Sequence, residues 1–341
     1  MKVGLIGLAG SGKTTVFNAL TGSQVTVGTG KRTEWHLGVI KVPDERVDRL
    51  AAIFKPKKVT YAEIEFVDFA GVTAERSGTA FSPQATAQMR AVDALVFVLQ
   101  GWGGGDPAAA AEAIETELIL ADMIVVEKRL SRLVKAGTKS IERDVLTRAQ
   151  ATLEGETPLR RLELSEAEAK AIQGFQFLSG KPALLLVNIG EEDISDPSPI
   201  LAGMERFGLE TLALCGTLEA EIAALEPEEQ REFLEDLGLS APARDRFIRA
   251  AYRMLNLVSF LTVGEDEVRA WTIERGLPAL KAAGKIHSDI ERGFIRAEVI
   301  PYETFIGIGD LKRAKELGKL SLEGKEYIVQ DGDIVHFRFN V

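Results

Sequence analysis

The segment Gly7-Leu8-Ala9-Gly10-Ser11-Gly12-Lys13-Thr14 fits the pattern G-x-x-x-x-G-K-[ST], and no other feature of the chain constrains its fold so tightly. The pattern requires a buried strand before it and a helix after it. Both are in the sequence: Val3 to Ile6 is an apolar run, and Thr15 to Leu20 reads as helix. In that setting the glycines let backbone N–H groups wrap an anion at a helix N-terminus, and Lys13 adds a full charge on the β- and γ-phosphates. Thr14 offers its hydroxyl to Mg²⁺. The expected contacts with a purine nucleoside triphosphate are therefore Gly7, Ala9, Gly10, Ser11, Gly12, Lys13, Thr14 and Thr15.

Further short apolar runs follow at Leu37 to Val42, Ile64 to Val67, Leu95 to Leu99, Leu184 to Val187 and Leu212 to Leu214. They are nearly continuous in Val, Ile and Leu, as strands covered on both faces are, and they alternate with helical segments. The pattern predicts an α/β doubly wound sheet. Asp106 to Ser179 interrupts it with a stretch rich in Ala, Glu, Leu, Lys and Arg. There Ile114, Leu118, Ala121 and Val125 recur at helical spacing, extended by Leu130 and Leu133. This predicts a helical hairpin or coiled coil, broken at Gly137 and between Gly155 and Pro158. After Leu257 the texture changes to short β-like runs with one helix-like stretch near Leu277 to Ala283, predicting a small α+β domain. Asp331-Gly332-Asp333 is a turn signal before its last strand.

Two further motifs agree with the phosphate site. Phe66-Val67-Asp68-Phe69-Ala70-Gly71 puts an aspartate at the end of a buried strand with a glycine three residues later, the D-x-x-G of a nucleotide switch. Asp68 is expected to hold the Mg²⁺ shell and Gly71 to present its N–H to the γ-phosphate. Lys13 and Gly71 are thus the candidate catalytic groups. Asn188-Ile189-Gly190-Glu191 follows the strand Leu184 to Val187, where switch GTPases carry N-K-x-D to read the base. Glu191 is one methylene longer than the usual aspartate and Ile189 replaces the lysine, so guanine specificity is expected to weaken and adenine to be admitted. Cys215 and Gly216, after the last sheet strand, are placed near the base pocket.

Composition limits the partners. The 341 residues carry a formal net charge of -10, with a pI of about 5.1 for the whole chain. That argues against general capture of nucleic acid, and no sequence-specific DNA binding is expected. A single cysteine allows no internal disulfide, the start MKVGLIGLAG does not read as a signal peptide, and no apolar run approaches a membrane span. A cytoplasmic, monomeric protein is expected. His36, His287 and His336 show no metal-site spacing.

At these residues the chain resembles the YchF, or Obg-like ATPase, family. The N-x-x-E of Asn188 to Glu191 is similar to that family's signature, and Leu218-Glu219-Ala220-Glu221-Ile222 to its following segment. The runs Glu267 to Thr272, Ala283 to Asp289, Gly293 to Val299 and Tyr327 to Asp333 resemble its TGS domain. The resemblance implies a P-loop nucleotide-binding domain over residues 1–108 and 180–256, a coiled-coil insert over 109–179 and a C-terminal β-grasp TGS domain over 257–341. It further implies slow hydrolysis of ATP, often with acceptance of GTP, Mg²⁺ as cofactor and association with ribosomes.

Some positions depart from the family. Gly10 stands where most members carry an asparagine that in related proteins goes with K⁺ coordination, which leaves potassium stimulation open. The loop Val72 to Gly78 lacks the usual glycine-rich switch sequence, and in the first switch, Gly28 to Leu37, Thr33 is the candidate Mg²⁺ contact. Val72 occupies the place where Ras-type switches have a water-orienting glutamine, so intrinsic hydrolysis is expected to be slow. Glu75 and Arg76 are nearby in sequence but read as solvated loop charges. Six basic residues, Arg269, Arg275, Lys281, Lys285, Arg292 and Arg296, are candidates for a docking face on an RNA-rich particle. The alternatives are a small-molecule P-loop kinase, which has no need of D-x-x-G with N-x-x-E, and a nucleotide-gated scaffold with negligible turnover.

Overall fold

The computed structural model describes residues 1–22, 25, 35–69, 81–237, 239 and 241–340. Among these the strands are β1 (Lys2–Ile6), β2 (Trp35–Lys41), β3 (Lys58–Thr60), β4 (Glu63–Phe69), β5 (Ala94–Gln100), β6 (Ala183–Asn188), β7 (Thr211–Leu214), β8 (Leu257–Thr262), β9 (Glu267–Glu274), β10 (Phe294–Pro301), β11 (Ser321–Glu323) and β12 (Asp333–Phe339). They form two sheets, and the chain divides into two compact units, Met1–Ile40 with Glu65–Ala250, and Lys41–Ile64 with Ala251–Val341.

In the first unit the sheet order is β2-β4-β1-β5-β6-β7. β4, β1, β5, β6 and β7 pair in parallel. Parallel strands need crossovers that cover both faces, and β5 and β6 are accordingly buried almost throughout. Phe66 and Phe97 are fully buried among the core side chains, and the Phe66 ring lies 5.4 Å from that of Phe247.

The interruption between β5 and β6 is helical. Asp106 accepts from the Ala109 N–H at 2.9 Å and caps the helix Pro107–Lys135. Gly137, at φ +64°, turns the chain into the helix Ile141–Glu154, capped by Ser140. Val126, Leu130 and Leu133 pack against Val145, Leu146, Ala149 and Leu153.

The buried stripe of the long helix runs Ile114, Leu118, Asp122, Val126, so Ala121 and Val125 are only half-buried. Hydrophobic spacing passes over Asp122, a charged residue at a core position. Its carboxylate is fully buried and accepts from the Leu178 N–H at 3.0 Å, the Ser179 N–H at 2.7 Å, the Ser179 hydroxyl at 2.9 Å and Arg90 Nη1 at 3.1 Å. Such a set of donors is what a buried carboxylate requires. It ties the insert to the helix Pro83–Arg90 and to the chain entering β6.

The second unit holds the sheet β11-β10-β12-β8-β9-β3. β8 and β9 form an antiparallel hairpin, β12 runs parallel to β8, and β10 lies antiparallel to β12. The helix Ala279–Ile286 buries Ala279, Ala282 and Ala283 against a core that includes Val258, Phe260 and Val299. Within residues 257–340 the first and last strands, β8 and β12, lie side by side in parallel with a helix across one face, which makes a β-grasp. Gly332, at φ +83°, provides the turn before β12.

Residues 41–64, expected in the nucleotide-binding domain, pack instead in this second unit. β3 extends the sheet by pairing in parallel with β9. Arg46 donates to Asp44 at 2.8 Å and to Asp331 at 3.0 Å, and the ring of Phe54 stacks on Phe305 at 5.5 Å. Asp331, Phe305 and β9 lie more than two hundred residues away in sequence, beyond the reach of local pattern.

Candidate nucleotide-binding site

The loop between β1 and the helix Lys13–Thr21 has the backbone that close approach of an anion needs. Gly10 and Gly12 are left-handed at φ +84° and +74°, where a side chain is strained. A Cβ at Gly7 would lie 2.5 Å from the Val98 carbonyl oxygen and 2.6 Å from Ser11 Oγ. Gly12 caps the helix without any side-chain bond, so the N–H groups of its first turn are not satisfied by a cap. Ser11 is buried, and its hydroxyl has no partner among the described residues. Ala9 and Gly10 lie exposed at the tip.

The parallel register of β1 and β4 sets Leu5 beside Asp68, which brings the end of β4 next to the loop. Asp68 is 1% exposed. Its Oδ1 accepts from Lys13 Nζ, and its Oδ2 accepts from the Thr14 hydroxyl at 3.2 Å. Cation, hydroxyl and carboxylate thus meet at one point beside a helix N-terminus. That cluster suits a phosphate together with a divalent ion bound through oxygen.

On the other side, Asn188 at the end of β6 is a bridge. Its Nδ2 donates to the Ser11 carbonyl at 3.3 Å, and its Oδ1 accepts from the Gly216 N–H at 2.9 Å. The loop is so close that a Cβ on Gly12 would lie 2.2 Å from Asn188 Nδ2. A pocket of about 510 Å³ opens here, lined by Gly12, Thr15, Trp102, Gly103, Asn188, Ile189, Gly190, Glu192 and Thr217. Glu191 Oε1 accepts from the Thr217 hydroxyl at 3.4 Å, and Thr217 also lies 3.2 Å from Cys215 Sγ. Ile189 and Cys215 belong chiefly to the hydrophobic core, at 5% and 4% exposure.

Most residues expected at the site are therefore gathered around the P-loop. Thr33, Gly71, Val72, Glu75 and Arg76 lie outside the described residues. Trp102, Glu192 and Thr217 line the pocket without having been read as candidates. The signal for Trp102 was present: an aromatic followed by three glycines directly after the buried strand β5. Thr217 had only its place beside Gly216.

A parallel sheet with a P-loop after β1, an aspartate at the end of β4 bonded to the loop's lysine and threonine, and a helical interruption before β6 defines a P-loop nucleotide-binding protein. The second unit adds a β-grasp. Comparison with known proteins gives the family. Residues 2–134 match the family model described as "50S ribosome-binding GTPase", and residues 257–340 match that of the YchF GTPase C-terminal region, described as "Protein of unknown function". The chain is 38% identical to the ribosome-binding ATPase YchF of Bacillus subtilis, over 100% of both chains. It is 42% identical to that of Haemophilus ducreyi, over 100% of this chain and 99% of the relative. The solved YchF GTPase of Schizosaccharomyces pombe superposes with a TM-score of 0.86 at 28% identity, covering 99% of this chain and 97% of that one. The chain belongs to the YchF family.

Proposed function

We propose that the protein is a nucleotide-dependent regulatory ATPase that binds ATP with Mg²⁺, also accepts GTP because its base-reading loop is less guanine-specific than that of guanine-specific switches, hydrolyses slowly and acts on the ribosome. The observation that carries the reading is the junction of Lys13, Thr14 and Asp68 beneath the P-loop. In the nucleotide complex Lys13 turns from Asp68 to the β- and γ-phosphates, while the loop N–H groups hold the phosphate oxygens. Thr14 and Asp68 would hold Mg²⁺, which neutralises charge on the phosphates. Among the described residues no group of three His, Cys, Asp or Glu could hold a metal alone, so phosphate and water would complete its shell. Asn188 keeps the base-side loop in register with the phosphate loop, Trp102, Glu192 and Thr217 line the pocket there, and Glu191 is tied to it through the Thr217 hydroxyl.

The relatives named ribosome-binding ATPases support both the hydrolysis and the partner. Among the described residues no helix is long and apolar enough to cross a membrane. Of the six basic residues expected to share a docking face, Lys281 is paired with Glu291 and Arg292 with Asp289, and Arg269 lies over the Trp271 ring at 3.7 Å. Their charge is thus partly committed within the unit. The test is phosphate release from Mg²⁺-ATP with no acceptor present, with and without ribosomes. Turnover that ribosomes alter supports the reading. Turnover only with an added small-molecule acceptor would replace it with the kinase alternative.

A further inference from the structure

The second compact unit contains a cavity of about 310 Å³ that shares no residue with the P-loop cluster. Its floor is the cross-strand pair Ile300 and Ile334 of β10 and β12, Leu311, Leu320, Val263 and Val335 extend an aliphatic lining, and His336 adds a ring beside it. Ile300 and Ile334 are buried, so the floor is part of the folded sheet and not a surface irregularity. The volume lies at the small end of ligand pockets, room for one large side chain or ring with its near neighbours.

The unpaired charges of the lining, Lys312 and Lys315, are of one sign. Glu298, the acidic residue of the lining, is held by Arg338. Lys312 and Lys315 stand exposed on the helix Leu311–Glu316, three residues apart and so on one side of it. Arg313 and Lys319 extend the same basic segment. None of these four forms an ion pair among the described residues, in contrast to Lys281 and Arg292 elsewhere in the unit. On a chain of net charge -10, an unpaired basic cluster beside an aliphatic cavity is a local exception.

We propose that this cavity is a docking site for an acidic peptide segment, which inserts one large apolar side chain against Ile300 and Ile334 and sets its carboxylates against Lys312 and Lys315. An aliphatic floor matches a leucine or phenylalanine anchor. It suits an RNA base poorly, because base recognition uses stacked aromatic platforms, and here one ring, His336, stands against six aliphatic side chains. The chain's overall negative charge repels an acidic partner at long range, so attachment depends on these lysines at short range and weakens as salt rises. The site operates independently of the nucleotide reading, and its failure would leave that reading untouched.

The test uses the full chain and a fluorescein-labelled peptide of aspartate and glutamate around one central phenylalanine, followed by fluorescence anisotropy. Binding is expected. Replacing the phenylalanine by alanine in the peptide should weaken it by roughly tenfold or more, the effect of leaving a large side chain unburied. The double variant Lys312→Glu/Lys315→Glu should weaken it by at least as much. Both lysines are exposed and unpaired, so the variant keeps the fold, and its ATP turnover should match wild type. The control Lys285→Glu/Lys325→Glu, the same charge change away from the cavity lining, should bind the peptide like wild type apart from a small uniform shift. Absence of peptide binding at low salt overturns the proposal. So does equal binding of the alanine peptide, equal loss in the control variant, or displacement of the peptide by single-stranded RNA at lower concentration than by unlabelled peptide.

Discussion

Replacing Asn188 by alanine should uncouple the two halves of the nucleotide site. The side chain is 5% exposed and makes one bond to each half, Nδ2 to the Ser11 carbonyl at 3.3 Å and Oδ1 from the Gly216 N–H at 2.9 Å. Alanine removes both and leaves the Gly216 N–H unpaired in a buried place. An orphaned buried donor costs roughly 1–3 kcal/mol, and a lost carbonyl bond about 1 kcal/mol more. The total is about 2–4 kcal/mol. Much of this falls on the arrangement that binds nucleotide, because Asn188 packs directly against the Gly12 backbone, where a Cβ would lie 2.2 Å from its Nδ2. If ~2 kcal/mol reaches binding, affinity for Mg²⁺-ATP drops about thirtyfold. Asn188→Asp keeps the acceptor for Gly216 but turns a carboxylate oxygen toward the Ser11 carbonyl, so it should also bind weakly at neutral pH and recover in part as acid restores a donor. The assay is equilibrium titration with a fluorescent ATP analogue, alongside hydrogen exchange at the Gly216 amide. An Asn188→Ala protein within about threefold of wild type in affinity, with unchanged protection at Gly216, would refute the bridging role.

Lys13→Ala should abolish measurable Mg²⁺-ATP turnover and also destabilise the first unit, because it leaves the buried Asp68 without its cation; Asp68→Asn should lose turnover with a smaller loss of stability, and urea unfolding separates the two. ATP should compete for the site at least as well as GTP, and a hundredfold preference for GTP, about 2.7 kcal/mol, would overturn the reading of Glu191. Gly10→Asn should fold and bind nucleotide, since only Gln100 Oε1 at 3.9 Å lies near its Cβ and asparagine tolerates the left-handed backbone at about 1 kcal/mol; failure to bind would show that the tip admits no side chain. Burial pushes the Asp122 carboxyl above its ordinary value of 3.8, against the opposing pull of the Leu178 and Ser179 N–H groups and of Arg90. The folded state therefore holds that proton more tightly than the unfolded one, and the group's contribution to stability is full below pH 3.8 and lost as pH rises through the raised folded value. Asp122→Asn should remove that slope from the pH dependence of unfolding while lowering stability, because its amide faces N–H donors; an unchanged slope would show that another group sets it.

The parts of this protein that its sequence determined are those whose cause is local. Gly7 to Thr14 after an apolar strand, Asp68 at the end of another and Asn188 at the end of a third were legible because spacing along one strand or turn decides the chemistry. The strands themselves were readable for the same reason, as continuous Val, Ile and Leu report cover on both faces. Tertiary structure decided what depends on partners distant in sequence. Residues 41–64 join the second unit through β9, Asp331 and Phe305, none of which leaves a mark on the segment's own pattern. Asp122 is buried where apolar periodicity would skip it, because Leu178, Ser179 and Arg90 converge on it from other elements. Trp102 and Thr217 enter the pocket because β5 and β7 end on the same side of the sheet as the P-loop. A hydrogen bond or a packed ring needs both its partners, and a linear pattern shows only one of them at a time.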